Sequence, residues 1–221
     1  MAGLIVKWAT VGPFRQNSYV VGDPESREAI LVDPGDEPAA IEALLRQEGL
    51  VPRYVLNTHA HLDHVGAVHH FQQTLGLPFY LHPGDKDWLD ALPLQGRMFG
   101  VPVSPTPRVD RWIADGDVFQ VGAKRVEVIH TPGHTPGGCC LWFPEDRILL
   151  TGDTLFAGSV GRTDFPGGST EQLLASIRDR LFPLGDDVVF HSGHGPASTL
   201  GEEKRSNPYV GAGSGFGKKY V

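Results

Sequence analysis

Six consecutive residues, His59-Ala60-His61-Leu62-Asp63-His64, carry three imidazoles and a carboxylate. Imidazole and carboxylate are the ligands that suit a borderline divalent metal kept open for chemistry. No fold requires so many ionisable groups at one turn, and crowding them without a cation costs desolvation energy. The same residue types recur downstream beside glycine and proline. His134 stands in Thr131-Pro132-Gly133-His134, Asp153 in Thr151-Gly152-Asp153-Thr154, and His194 in Ser192-Gly193-His194-Gly195. The adjoining glycines let the backbone turn tightly and bring each side chain close. These residues point to a metal centre assembled from four loops.

Three of those loops follow short apolar runs. Residues 4–11, 18–21 and 29–32 read as strands separated by Gly, Pro and Asp turns. Pro38 opens a helix with Ile41, Leu44, Leu45 and Glu48 at helical spacing, and Gly49 stops it. Residues 53–56 form a strand running into the histidine cluster. Beyond Asp63, the residues Val65, Val68, Gln72 and Leu75 mark one helical face. A strand over 79–81 and a short helix over 84–92 follow. Residues 93–107, rich in Pro and Gly, read as a long loop, and such loops are more often functional than idle.

The second half repeats the rhythm. Residues 118–121, 125–129, 138–143, 148–151 and 188–190 read as strands. Ser169 and Gln172 cap a helix whose apolar face is Leu173, Leu174, Ile177 and Leu181. Two strand-rich blocks, each followed by helices, predict an α/β fold: a four-layer αββα sandwich with two sheets face to face. Strand ends then converge at one edge, where ligands distant in sequence can meet. One domain over 1–210 is expected, followed by a Gly-rich tail over 211–221.

Bulk properties exclude several classes. The net charge is −7 with no Lys/Arg cluster, which argues against nucleic-acid binding. No segment approaches the ~20 apolar residues of a membrane span, and the N-terminus lacks a signal-peptide pattern. Cys139 and Cys140 are adjacent within an apolar run, a placement that fits small core residues better than a disulfide. A reducing cytoplasm is the expected compartment. Nothing in the sequence marks an oligomeric state.

In order and residue type, His59-x-His61-x-Asp63-His64, His134, Asp153 and His194 resemble the ligand set of the metallo-β-lactamase superfamily. The resemblance implies that His59, His61 and His134 hold one metal and Asp63, His64 and His194 a second, with Asp153 bridging. It leaves room for a bridging hydroxide. Two zinc ions are expected, iron and manganese being accepted by the same ligands. Asp33, in Val32-Asp33-Pro34-Gly35, resembles a family position near the metals and is expected to buttress a metal-bound histidine.

Residues 97–102, 152–165 and 193–202, with Asn207-Pro208, are similar to short bacterial glyoxalase II-like hydrolases. That similarity implies cleavage of a small glutathione-linked thioester, S-D-lactoylglutathione first, with Asp63 orienting the nucleophile while ligating. The chain ends before the helical domain that grips glutathione in longer relatives, which puts the thiol carrier in question. Arg162 is expected either to hold the substrate's carboxylate or amide or to pair with Asp164. Met98 and Phe99 are candidates for lining the acyl or thiol pocket, with core filling as the alternative.

A competing implication is a persulfide dioxygenase with one iron on His59, His134 and Asp153, since such enzymes share the run Gly161-Arg162-Thr163-Asp164-Phe165. A true β-lactamase fits less well, because zinc β-lactamases commonly differ at the positions of Asp153 and of the Asp63-His64 pair. His69, His70, His82, His130 and His191 fall outside the ligand set, His130 being expected close behind it.

Overall fold

The protein, described over residues 3–214 by a computed structural model, builds two six-stranded sheets and a two-stranded ribbon. The first sheet runs in order through β1 (Ile5–Val11), β2 (Gln16–Gly22), β3 (Glu28–Val32), β4 (Val51–Leu56), β5 (Phe79–Leu81) and β6 (Arg111–Trp112). Its first three strands are antiparallel and β3 to β6 are parallel. Parallel neighbours need crossovers, and helices supply them. They are α1 (Pro38–Glu48), α2 (Leu62–Val65), α3 (Val68–Leu75), α4 (Lys86–Asp90) and α5 (Leu92–Phe99).

The second half contributes β7 (Val118–Val121), β8 (Lys124–His130), β9 (Cys139–Phe143) and β10 (Ile148–Gly152). The ribbon of β11 (Leu155–Phe156) and β12 (Ser159–Val160) precedes α6 (Thr170–Ala175), which continues as π-helical turns over Ser176–Leu181. The chain then adds β13 (Val189–Ser192), β14 (Ser198–Thr199) and α7 (Leu200–Ser206), giving a sheet order β14-β13-β10-β9-β8-β7.

Alternation along the strands creates three apolar layers. Val20 and Leu31 face out, packing with Ile41 of α1 and Phe71 of α3. Tyr19, Val21, Ile30 and Val32 face in, meeting Val126, Val128, Leu141 and Phe143 of the other sheet. On the far side Trp142 and Phe190 pack with Leu173, Ile177 and Leu200. Three layers of side chains between four layers of backbone make the αββα sandwich. The adjacent cysteines follow the same rule: Cys139 belongs to the middle layer, Cys140 to the outer one, and both are free thiols.

Two local differences from the sequence reading have physical causes. Residues 93–99 are helical rather than a loop, because Pro93 sits in the first turn of α5, where its missing N–H costs nothing. Gly100, at φ 67°, ends that helix. The face from Val65 to Leu75 is split into α2 and α3 near Gly66, where a Cβ would lie 2.3 Å from the Gly35 carbonyl oxygen. The start of the expected tail is hydrogen-bonded, Gly211 to Asn207 and Ala212 to Lys204, and residues 215–221 lie outside the described residues. Among the described residues no helix is long and apolar enough to cross a membrane.

Candidate metal centre

Strand polarity gathers the candidate ligands at one edge. Strands β3, β4 and β5 are parallel, and β8, β10 and β13 share one direction, so their carboxyl ends open onto the same side. Asp33 follows β3, the cluster follows β4, and His134, Asp153 and His194 follow β8, β10 and β13. Clefts outside the carboxyl ends of strands are where layered α/β folds place ligands.

Two triads form there. His61 Nδ1 lies 3.2 Å from His59 Nε2 and 2.9 Å from His134 Nε2. His194 Nε2 lies 3.3 Å from Asp63 Oδ2, which is 3.9 Å from His64 Nε2. Asp153 stands between them, its Oδ1 3.4 Å from His64 and its Oδ2 3.6 Å from both His134 and His194. Within each triad the ligand atoms lie within 4.8 Å of one another.

Outer hydrogen bonds fix which ring nitrogen faces inward. The Thr58 hydroxyl donates to Asp33 at 2.5 Å and so accepts from His59 Nδ1 at 3.1 Å. His64 Nδ1 donates to Asp33 at 2.9 Å, and His134 Nδ1 to the Arg162 carbonyl at 2.8 Å. The Nε2 atoms of His59, His64 and His134 therefore point inward, where each can offer a metal its lone pair. The buried His64 Nε2 and Asp153 Oδ1 have no hydrogen-bond partner. Facing lone pairs and a carboxylate repel one another until a cation lies between them, so these residues fit divalent metal. Asp33, His59 and His64 also gather, but the Asp33 carboxylate is already engaged by the Thr58 N–H, the Thr58 hydroxyl and His64. It orients rings from behind, and it does so at φ 50°, an uncommon conformation for a non-glycine residue.

The triads differ electrostatically. Burial, reinforced by neighbouring rings, holds His59 far below the ordinary histidine range and pushes His61 down to about 3. Burial also opposes charge on His64, yet the carboxylates of Asp153, Asp63 and Asp33 outweigh it and raise that ring well above the ordinary value. Against the same penalty, His64 and His194 hold Asp63 low, and the His64, His134 and His194 rings hold Asp153 low.

Other supporting residues escaped the sequence reading. Asp85, past β5, accepts from Ala60 N at 2.9 Å, Thr135 Oγ1 at 2.9 Å and Gly137 N at 2.6 Å, tying the cluster to the His134 loop. Its setting, Pro83-Gly84-Asp85 after a strand, resembles that of the other ligand loops and was the available signal. Gln95 of α5 accepts from Leu62 N and donates to the Ala60 carbonyl. From β2, Tyr19 and Asn17 donate to the carbonyl of Ser192 and hold the His194 loop from the opposite sheet. Gly193 packs so closely that a Cβ would lie 2.2 Å from Asp153 Oδ1.

A cavity of about 520 Å³ opens onto His61, Asp63, His134, Asp153 and His194. Met98 and Phe99 line it from helix α5, not from a loop. Arg162 lines it too, but its guanidinium makes paired bonds of 2.7 Å to Asp164 and lies 3.9 Å from the Phe165 ring centroid. The remaining histidines stand apart. His130 stacks on His82 and His70 bonds Glu42, while His191 packs with Trp8 and Tyr19.

The profile of the Metallo-beta-lactamase superfamily matches residues 11–194. Hydroxyacylglutathione hydrolase GloC of Haemophilus influenzae is 39% identical over 206 residues, covering 92% of this chain and 97% of that one. The mitochondrial persulfide dioxygenase ETHE1 of Bos taurus is 36% identical over 196 residues, covering 86% and 70%. Among solved structures, BLEG-1, a B3 metallo-beta-lactamase, superposes with a TM-score of 0.86 at 37% identity, covering 93% of this chain and 99% of that one. TTHA1623, solved in a di-iron-bound form, gives 0.85 at 42% identity, covering 92% and 100%.

Proposed function

The chain belongs to the metallo-beta-lactamase superfamily, and from that premise we propose that it is a binuclear metal-dependent thioester hydrolase of the glyoxalase II type. The observation that carries this reading is the second triad, Asp63, His64 and His194, gathered beside an Asp153 that faces both sets. A single ion on the first set leaves those three without a task. In this reading His59, His61 and His134 hold one ion, Asp63, His64 and His194 the other, and Asp153 both. Zinc is the first expectation for the pair, and the di-iron form of TTHA1623 supports iron as the alternative.

Two divalent cations held there would lower the pKa of a bound water from ~15.7 toward ~7 and polarise a carbonyl oxygen. The chain's own residues do the rest. Asp63, which lines the cavity with 18% of its side chain exposed, orients the attacking water. Asp33 and the Arg162 carbonyl hold the rings that must stay deprotonated at their inner nitrogens. A C–O bond forms at the acyl carbon and the C–S bond breaks. The thiolate leaves with little proton assistance, giving an acid and a thiol. An S-acyl thiol is the substrate class this reading assigns, and S-D-lactoylglutathione, in keeping with the kinship to GloC, is the first of that class to assay.

The kinship to ETHE1 favours a second reading, a dioxygenase with one iron on His59, His134 and Asp153. Metal analysis of the purified protein separates the two when combined with three assays: S-D-lactoylglutathione hydrolysis, oxygen uptake with glutathione persulfide, and β-lactam hydrolysis. Two metals per chain with thioester turnover is the expected result. One iron with oxygen uptake, or β-lactam turnover exceeding thioester turnover, overturns it.

A further inference from the structure

Helix α5 turns an apolar face outward. Leu94, Met98 and Phe99 are 49%, 68% and 42% exposed, and their spacing places them on one side of the helix, where all three line the cavity above the metal centre. Aromatic rings extend that face. Phe99 meets Phe14 edge-on at 5.4 Å and Phe165 at 6.3 Å, and Phe165 lies 5.9 Å from Trp88. Trp88 in turn packs edge-on against His61 at 4.5 Å, so the apolar wall reaches the metal-facing rings without interruption.

Charge is scarce along this wall. Outside the triads and Asp153, the charged residues lining the cavity are Asp87 and Arg162. Arg162 is engaged by Asp164 through two hydrogen bonds and stacked on Phe165. An adjoining cavity of about 320 Å³, which shares Phe14, Leu62 and Asp63, adds Asp36 and neither Lys nor Arg. A glutathione thioester brings two carboxylates. Among the described residues neither cavity offers them an unpaired guanidinium or ammonium. An apolar group, by contrast, covers three exposed side chains of α5.

Resting on the thioester reading, we propose that the site selects its substrate by an apolar, aryl-sized acyl group seated between α5 and Phe165, without need of an anionic thiol carrier. Met98 and Phe99 are then specificity-determining residues. The substrate class is an aryl-acyl thioester of a small thiol, hydrolysed to the aryl-acyl acid and the thiol by the same exchange of a C–S for a C–O bond.

Four thioesters test this on the full-length, metal-loaded protein: phenylacetyl and D-lactoyl groups, each on glutathione and on N-acetylcysteamine. The expected kcat/KM is at least about tenfold higher for phenylacetyl than for lactoyl on either carrier, the scale on which apolar pockets discriminate. Glutathione is expected to confer no advantage over N-acetylcysteamine. Phe99→Ser and Met98→Ser each lower the phenylacetyl-to-lactoyl ratio. Calorimetry with the inert thioether S-phenethyl-N-acetylcysteamine gives a readout free of turnover, and both substitutions are expected to weaken its binding at unchanged metal content. Lactoyl equal to or better than phenylacetyl overturns the proposal while leaving the thioester reading intact, as does a tenfold gain from glutathione. Hydrolysis of none of the four overturns that reading and the proposal with it.

Discussion

The two triads use the same kinds of side chain and sit in opposite surroundings. His59, His61 and His134 form an all-imidazole set, at most 7% exposed, in which burial holds the His59 and His61 rings low. Asp63, His64 and His194 include a carboxylate, lie beside Asp153, and reach solvent through His194, whose side chain is 29% exposed. An ion entering the first set meets three imidazoles and no carboxylate but Asp153. An ion entering the second must displace a proton that three carboxylates hold on His64, so its binding releases acid. The first position is the more deeply buried, and the second is reached past the more exposed His194.

The largest expected effect comes from breaking the more buried position. His59→Ala should lower thioester turnover on the order of a thousandfold, the scale of losing electrostatic stabilisation at the reacting carbonyl. Circular dichroism should show the fold retained, because the substitution removes a lone pair from a repulsive cluster. Undiminished turnover in that variant would sink the two-metal mechanism. Asp33→Asn is the next step down. It disturbs His64 directly and His59 only through Thr58, so metal affinity should fall about 10–100-fold and mainly at the second position. Metal content after dialysis against graded buffers checks this, and equal loss at both positions would erase the distinction drawn above. The smallest effect is kinetic. A chelator should remove metal in a fast and a slow phase, the fast one from the triad holding His194, and stopped-flow absorbance with a chromogenic chelator would reveal a single phase if the two positions exchange alike.

Much of the molecule was legible because its signals are local. The inner strands carry uninterrupted β-branched and aromatic runs, and His134, Asp153 and His194 each follow a glycine that close packing requires, as Gly193 against Asp153 shows. What sequence concealed depends on partners elsewhere in the chain. Two-residue strands such as Arg111–Trp112 and Leu155–Phe156 have no periodicity of their own and exist because a neighbour is there to pair with. Helix α5 was hidden by Pro93, which reads as a breaker in a sequence and acts as a helix starter at the first turn. Asp85 bonds to the backbones of two other loops, a relation that no spacing encodes. Arg162 was open between substrate and Asp164. Its side chain takes Asp164, while its carbonyl sets the tautomer of His134.

The neighbouring thiols of β9 offer a use unrelated to catalysis. Cys139 looks into the layer between the sheets and Cys140 into the layer under the outer helices. Burial raises both, Cys140 to about 11, so neither is reactive while its layer stays shut. Pulsed alkylation with fragmentation of the labelled peptide would therefore time the opening of each layer separately. Two clocks, one peptide bond apart, report which face of the sheet lets water in first.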